Sequence, residues 1–100
     1  MLARISELAR AHRVTFTLKA FRELAALQLG MDVEDACDVL VHLTATDSAG
    51  RLASAVTGEW LYVFKPRVEK TVIYVKVIIR NDCVVVSFHA DEGAGHDEGA

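Results

Sequence analysis

At 100 residues the chain has room for a single hydrophobic core, because a domain this small buries only somewhat over ~60% of the surface that its unfolded form exposes. Hydrophobic residues at 52% and charged residues at 25% exclude a disordered or fibrous chain, and Lys76, Arg80 and Asp82 interrupt the most apolar stretch well short of the ~20 residues that a membrane helix needs. The net charge of −3 conceals two regions of opposite sign: residues 51 to 80 hold Arg51, Lys65, Arg67, Lys70, Lys76 and Arg80 against only Glu59 and Glu69, whereas residues 32 to 47 hold five acids and no base. Such asymmetry points to an anionic partner for one side of the molecule.

The first element, residues 3 to 12, is a short amphipathic helix. Leu2, Ile5, Leu8 and Ala9 make a helical stripe with Arg4, Glu7 and Arg10 between them, not the continuous apolar core of a signal peptide, so a cytoplasmic protein is expected. A second helix is predicted from Leu18 to Leu29, with Thr17 as its N-cap and Gly30 as its stop. In a third, Val33, Ala36, Cys37, Leu40 and Val41 recur at i, i+3, i+4, i+7 and i+8, opened by Asp32 as cap with Glu34 and Asp35 suiting the positive helix end. Much of the acidic cluster thereby has a structural explanation.

From residue 51 the period changes to two. Residues 51 to 57, 60 to 65, 71 to 80 and 83 to 89 are rich in Val, Ile, Tyr, Phe and Trp and are broken by Gly58, by Lys65-Pro66-Arg67 and by Asn81-Asp82. Helices followed by strands predict an α+β domain over residues 1–90, with about three N-terminal helices on one face of an antiparallel sheet of about four strands. Residues 91–100, with three glycines, four acids and no large apolar side chain, are expected to form a disordered acidic tail. Its acids are candidates to fold back and screen the basic sheet region from an anionic partner.

Register of the last hairpin brings out the candidate chemistry. If Asn81-Asp82 is a two-residue turn, Arg80 pairs with Cys83, Lys76 with Ser87 and Tyr74 with His89, and these side chains share one face. The opposite face then takes Ile73, Val75, Val77, Ile79, Val84, Val86 and Phe88 and packs on the helices. A phenol, an ammonium and an imidazole meet there, and Lys65 and Arg67 enter from the neighbouring strand. Cleavage of RNA by its own 2′-hydroxyl needs a proton acceptor, a proton donor and cations around the phosphate, and these side chains supply all three without a metal or cofactor.

Plainer readings apply elsewhere. Cys37 and Cys83 lack zinc-type spacing and read as small core hydrophobes. His12 and His42 lie on helical segments and read as structural, Trp60 and Phe64 read as packing residues, and Ser87 has no partners for a nucleophilic triad. A solvated sheet face is itself commonly polar, so the exposed Tyr and Lys have an ordinary explanation too.

The order and spacing of Met31-Asp32-Val33 through Leu43, Trp60, Lys65-Pro66-Arg67, Val72 through Val77 and Val84-Val85-Val86-Ser87-Phe88 resemble the MqsR (motility quorum-sensing regulator) family. The resemblance implies a RelE-like fold and a ribosome-independent mRNA interferase, the toxin of a toxin-antitoxin pair. It also implies a cognate antitoxin with a zinc-binding part and a helix-turn-helix. Under it Tyr74 takes the place of the family's catalytic tyrosine and His89 that of a basic residue near the end of the last strand. The family's glutamine is Leu61 here, and its lysine aligns with Gly50, leaving Arg51 as the nearest cation. The site expected is therefore Tyr74, Lys76, Arg51 and His89 as catalytic residues, with Arg67, Lys65 and Arg80 binding RNA and no metal. A non-catalytic RelE-like binding module, or a toxin acting on a protein target, is the rival expectation, favoured by Leu61.

Overall fold

The computed structural model describes residues 1–91, and the tail beyond Asp91 lies outside the described residues. The described residues form three helices, α1 (Leu2–Arg10), α2 (Leu18–Ala26) and α3 (Val33–Val41), and six strands, of which the first lies between α1 and α2. The strands are β1 (Val14–Phe16), β2 (Ser48–Ala53), β3 (Trp60–Phe64), β4 (Arg67–Val68), β5 (Thr71–Ile79) and β6 (Cys83–Ala90). They run in the order β1-β6-β5-β3-β2, with β4 also on β5. No helix of the described residues is long and apolar enough to cross a membrane.

The α+β class expected from the sequence is present, but the sheet is mixed and wider than predicted. β1 pairs in parallel with β6, Val14 with Cys83 through Phe16 with Val85. Three residues are too few for a periodic signal, so this strand is decided by its partner and not by its own sequence.

The first two helices end just before left-handed residues. α1 stops two residues before its predicted end because His12 takes φ +58, and the Arg13 N–H then reaches back to Leu8 O at 2.8 Å. α2 stops at Ala26, before the predicted Leu29, since Gln28 takes φ +59 and Gly30 does so only later at φ +69. Its start is as predicted: the Thr17 hydroxyl accepts from Ala20 N–H at 3.1 Å. Thr17→Ala is expected to lower unfolding free energy by ~1 kcal/mol, measurable by urea denaturation. α3 opens on a reciprocal box in which Asp32 accepts from Asp35 N–H and Asp35 from Asp32 N–H.

The first predicted strand, 51–57, is displaced to Ser48–Ala53 and is the second in the chain. The Ser54 hydroxyl takes the N–H groups of Val56 and Thr57, and Gly58 turns the chain at φ +76, so residues 54–58 form the β2–β3 turn.

Ile5, Leu8, Leu24 and Leu40 from the helices share one core with Ile73, Val75, Val77, Val85 and Phe88 from the sheet. Here the predicted hairpin needs correcting. Its loop has three residues, so Ile79 pairs with Cys83 and Val77 with Val85, until an extra residue restores the expected Lys76–Ser87, Val75–Phe88 and Tyr74–His89 pairs. Cys83 and Val85 therefore enter the core, while Val84 and Val86 are only half-buried. Burial, with Cys37 nearby, pushes the Cys83 thiol up to about 12, so it stays protonated.

Candidate active site on the open sheet face

The helices cover one face of the sheet, and the other carries the polar side chains. The β3–β5 register runs from Tyr62–Val77 to Phe64–Val75 and continues, with the Ile73 N–H donating to Pro66 O at 2.8 Å, into the Arg67–Val72 pair. Combined with the β5–β6 pairs, this sets three rows across the open face. Arg67, Val72 and Asp91 form the first, Lys65, Tyr74 and His89 the second, and Val63, Lys76 and Ser87 the third.

Within the second row Tyr74 and His89 stack, with ring centroids 5.0 Å apart and planes 12° from parallel. His89 Nδ1 lies 2.7 Å from Ala90 O. A carbonyl can only accept, so Nδ1 carries the proton and Nε2 keeps its lone pair when the ring is neutral. Lys65 Nζ reaches across β5 to Asp91 Oδ2 at 3.4 Å, and the Asp91 N–H donates to Val72 O at 2.8 Å. The first residue of the expected tail is thus seated on the sheet.

Not every predicted residue joins this group. Arg51 pairs with Tyr62, which pairs with the buried Val77, so its side chain belongs to the helix-bearing face, where its guanidinium lies 3.9 Å from the centre of the Trp60 ring. Arg80 is bound through two nitrogens to Glu59, at 3.0 and 2.7 Å, beside the hairpin loop. Hydrogen bonding to Arg80 holds the Glu59 carboxyl below its ordinary range despite a desolvation penalty. Ser87 stands opposite Lys76 on this face as expected but is buried there, its hydroxyl accepting from Lys19 Nζ at 3.0 Å. Leu61 lies in register with Ile78 on the open face, so the place where the resembling family has a glutamine is apolar here.

Two residues that sequence reasoning passed over flank the group from α2. β1 ends at Phe16, so among the described residues no strand pairs with the outer edge of β6 beyond Val85. Glu23 Oε1 accepts the Phe88 N–H at 3.0 Å, and Lys19 Nζ bonds Val86 O at 3.4 Å and Glu23 Oε2 at 3.0 Å. Burial works to raise the Glu23 carboxyl, but the Phe88 N–H, Lys19 and His89 together hold it below the usual glutamate range. A carboxylate depressed in the folded state contributes stability that is present above its unfolded pKa and is lost as pH falls through its folded pKa. The stability difference between wild type and Glu23→Gln is accordingly expected to be largest near neutral pH and to shrink below the glutamate range, as denaturation at several pH values would read. The only sequence hint was the i, i+4 spacing of Lys19 and Glu23, which says nothing about the strand they meet.

A curated relative, "mRNA interferase toxin MqsR" of Escherichia coli (strain K12), is 28% identical over 88 residues, covering 87% of this chain and 88% of that protein. The family model described as "Motility quorum-sensing regulator, toxin of MqsA" matches residues 1–90, which is the helical segment and the whole sheet, and on that match the chain belongs to the MqsR toxin family.

Proposed function

We propose that this chain is an mRNA interferase: the toxin of a toxin-antitoxin pair, working in the cytoplasm as an endoribonuclease that needs no metal. Its partner under this reading is a cognate antitoxin of the zinc-binding, helix-turn-helix kind. The name of the E. coli relative supports the reaction class. The observation that carries the reading is the stacked Tyr74–His89 pair in one row with Lys65, between rows that hold Arg67 and Lys76.

The chemistry follows from these groups. The 2′-oxygen attacks the adjacent phosphorus as His89 Nε2 takes its proton. The bond from phosphorus to the 5′-oxygen breaks, and the leaving oxygen receives a proton from the Tyr74 hydroxyl. The products are a 2′,3′-cyclic phosphate and a 5′-hydroxyl. Lys65, Lys76 and Arg67 offset the charge that builds on the phosphoryl oxygens. All the cations in this account stand on the open face, where Lys65 would exchange its 3.4 Å pair with Asp91 for the phosphate; Arg51 and Arg80 lie away from it, against Trp60 and Glu59.

The test is direct. Purified protein and a long single-stranded RNA are incubated in excess chelator, and the fragment ends are analysed. Cyclic phosphate and 5′-hydroxyl ends are expected. Intact RNA, or cleavage only after metal is restored, overturns the reading. Growth arrest on expression with undiminished mRNA would indicate a protein target instead.

A further inference from the structure

His89 has two ring faces, and Tyr74 occupies one of them. Because His89 stands on β6 and Tyr74 on β5, the second face is turned toward α2, across the strand edge beyond the end of β1. A cleft of about 570 Å³ opens there, lined by Lys19, Glu23, Ala26, Leu27, His89 and Ala90. It lies within the size range of small-ligand sites, roughly 300–1,000 Å³. Its wall is mixed: Ala26 and Leu27 are apolar, His89 offers a flat ring, and Glu23 and Lys19 supply one charge of each sign.

We propose that this cleft is a nucleobase subsite, holding the base of the nucleotide whose 2′-hydroxyl attacks, and that Glu23 makes it reject uracil. The inference rests on the nuclease reading above. A base lying on the free face of His89 extends the Tyr74–His89 stack by one ring, and the same nucleotide's ribose then stands next to the imidazole that takes its proton. Lys19 is already donating to Val86 O, Ser87 Oγ and Glu23, so it fixes the carboxylate and does not bind phosphate.

Specificity comes from the carboxylate. Held below the usual glutamate range, Glu23 is ionised at neutral pH and can only accept hydrogen bonds. Among the described residues each of its oxygens has one partner, Phe88 N–H or Lys19 Nζ, and retains a second lone pair. Adenine, cytosine and guanine present an exocyclic amine to such an acceptor. Uracil has a single ring N–H set between two carbonyls that repel a carboxylate.

The experiment uses the full chain and an RNA of randomised sequence, with the nucleotide on the 5′ side of every cut identified by sequencing. Wild type is expected to deplete uridine at that position on the order of tenfold. Glu23→Gln, whose amide both donates and accepts, is expected to bring uridine back. Ala26→Trp fills the cleft from an exposed position without touching the Glu23 bonds. It is expected to weaken binding of a 2′-deoxy oligonucleotide, which lacks the nucleophile, by about tenfold, the scale of one lost stacked base. Uridine as frequent as the other bases in wild type overturns the proposal, as does an unchanged profile in folded Glu23→Gln or undiminished binding by Ala26→Trp. Absence of cuts by wild type overturns the nuclease reading itself, a separate outcome.

Discussion

Tyr74→Phe is expected to slow RNA cleavage by ~10²-fold or more, while binding of the 2′-deoxy oligonucleotide changes little. The substitution removes one oxygen and leaves the ring, so the stack on His89 at 5.0 Å persists. What is lost is the group that protonates the leaving 5′-oxygen, and a positioned acid or base contributes about 10²–10⁴-fold. Single-turnover cleavage set beside binding separates the two. Equal rates for the variant and wild type would remove Tyr74 from the chemistry. Equal loss of rate and of binding would recast it as a stacking platform.

The second large effect concerns the core. Phe88→Ala is expected to cost ~3–5 kcal/mol of unfolding free energy, a large share of the ~5–15 kcal/mol that holds a domain together. Phe88 is fully buried among the residues that join helices to sheet, and its ring centre lies 6.3 Å from that of Phe16. Its N–H also donates to Glu23, and the next residue is His89, so packing here fixes the backbone that presents the imidazole. Urea denaturation would read the loss as a lower midpoint. A milder truncation, Phe88→Leu, is expected to fall between the two, and an unchanged midpoint for either would contradict the role of this ring.

These two expectations meet because β5 and β6 carry alternate residues to opposite faces. Val75 and Phe88 look inward while Tyr74 and His89 look outward, so one register error near the site would exchange core for chemistry. The hairpin tolerates its three-residue loop only because the extra residue in β6 cancels the slip before Lys76.

The amino-acid sequence by itself determined the α+β class, Thr17 as the cap of α2, Asp32 as the cap of α3 and the alternation along β5, since each depends on neighbours within a few residues. The Tyr74–His89 pairing expected from a two-residue turn is present only because the extra residue in β6 offsets a three-residue loop. Tertiary structure alone decided the rest. β1 exists because the edge of β6 receives it, Arg51 goes to the helix-bearing face because Tyr62 and Val77 fix its register, and Arg80 goes to Glu59 across the sheet. Lys19 and Glu23 reach β6 only because α2 folds over a strand more than sixty positions later in the chain. Local spacing cannot encode such meetings; they are set by which surfaces must be buried together when one small core closes.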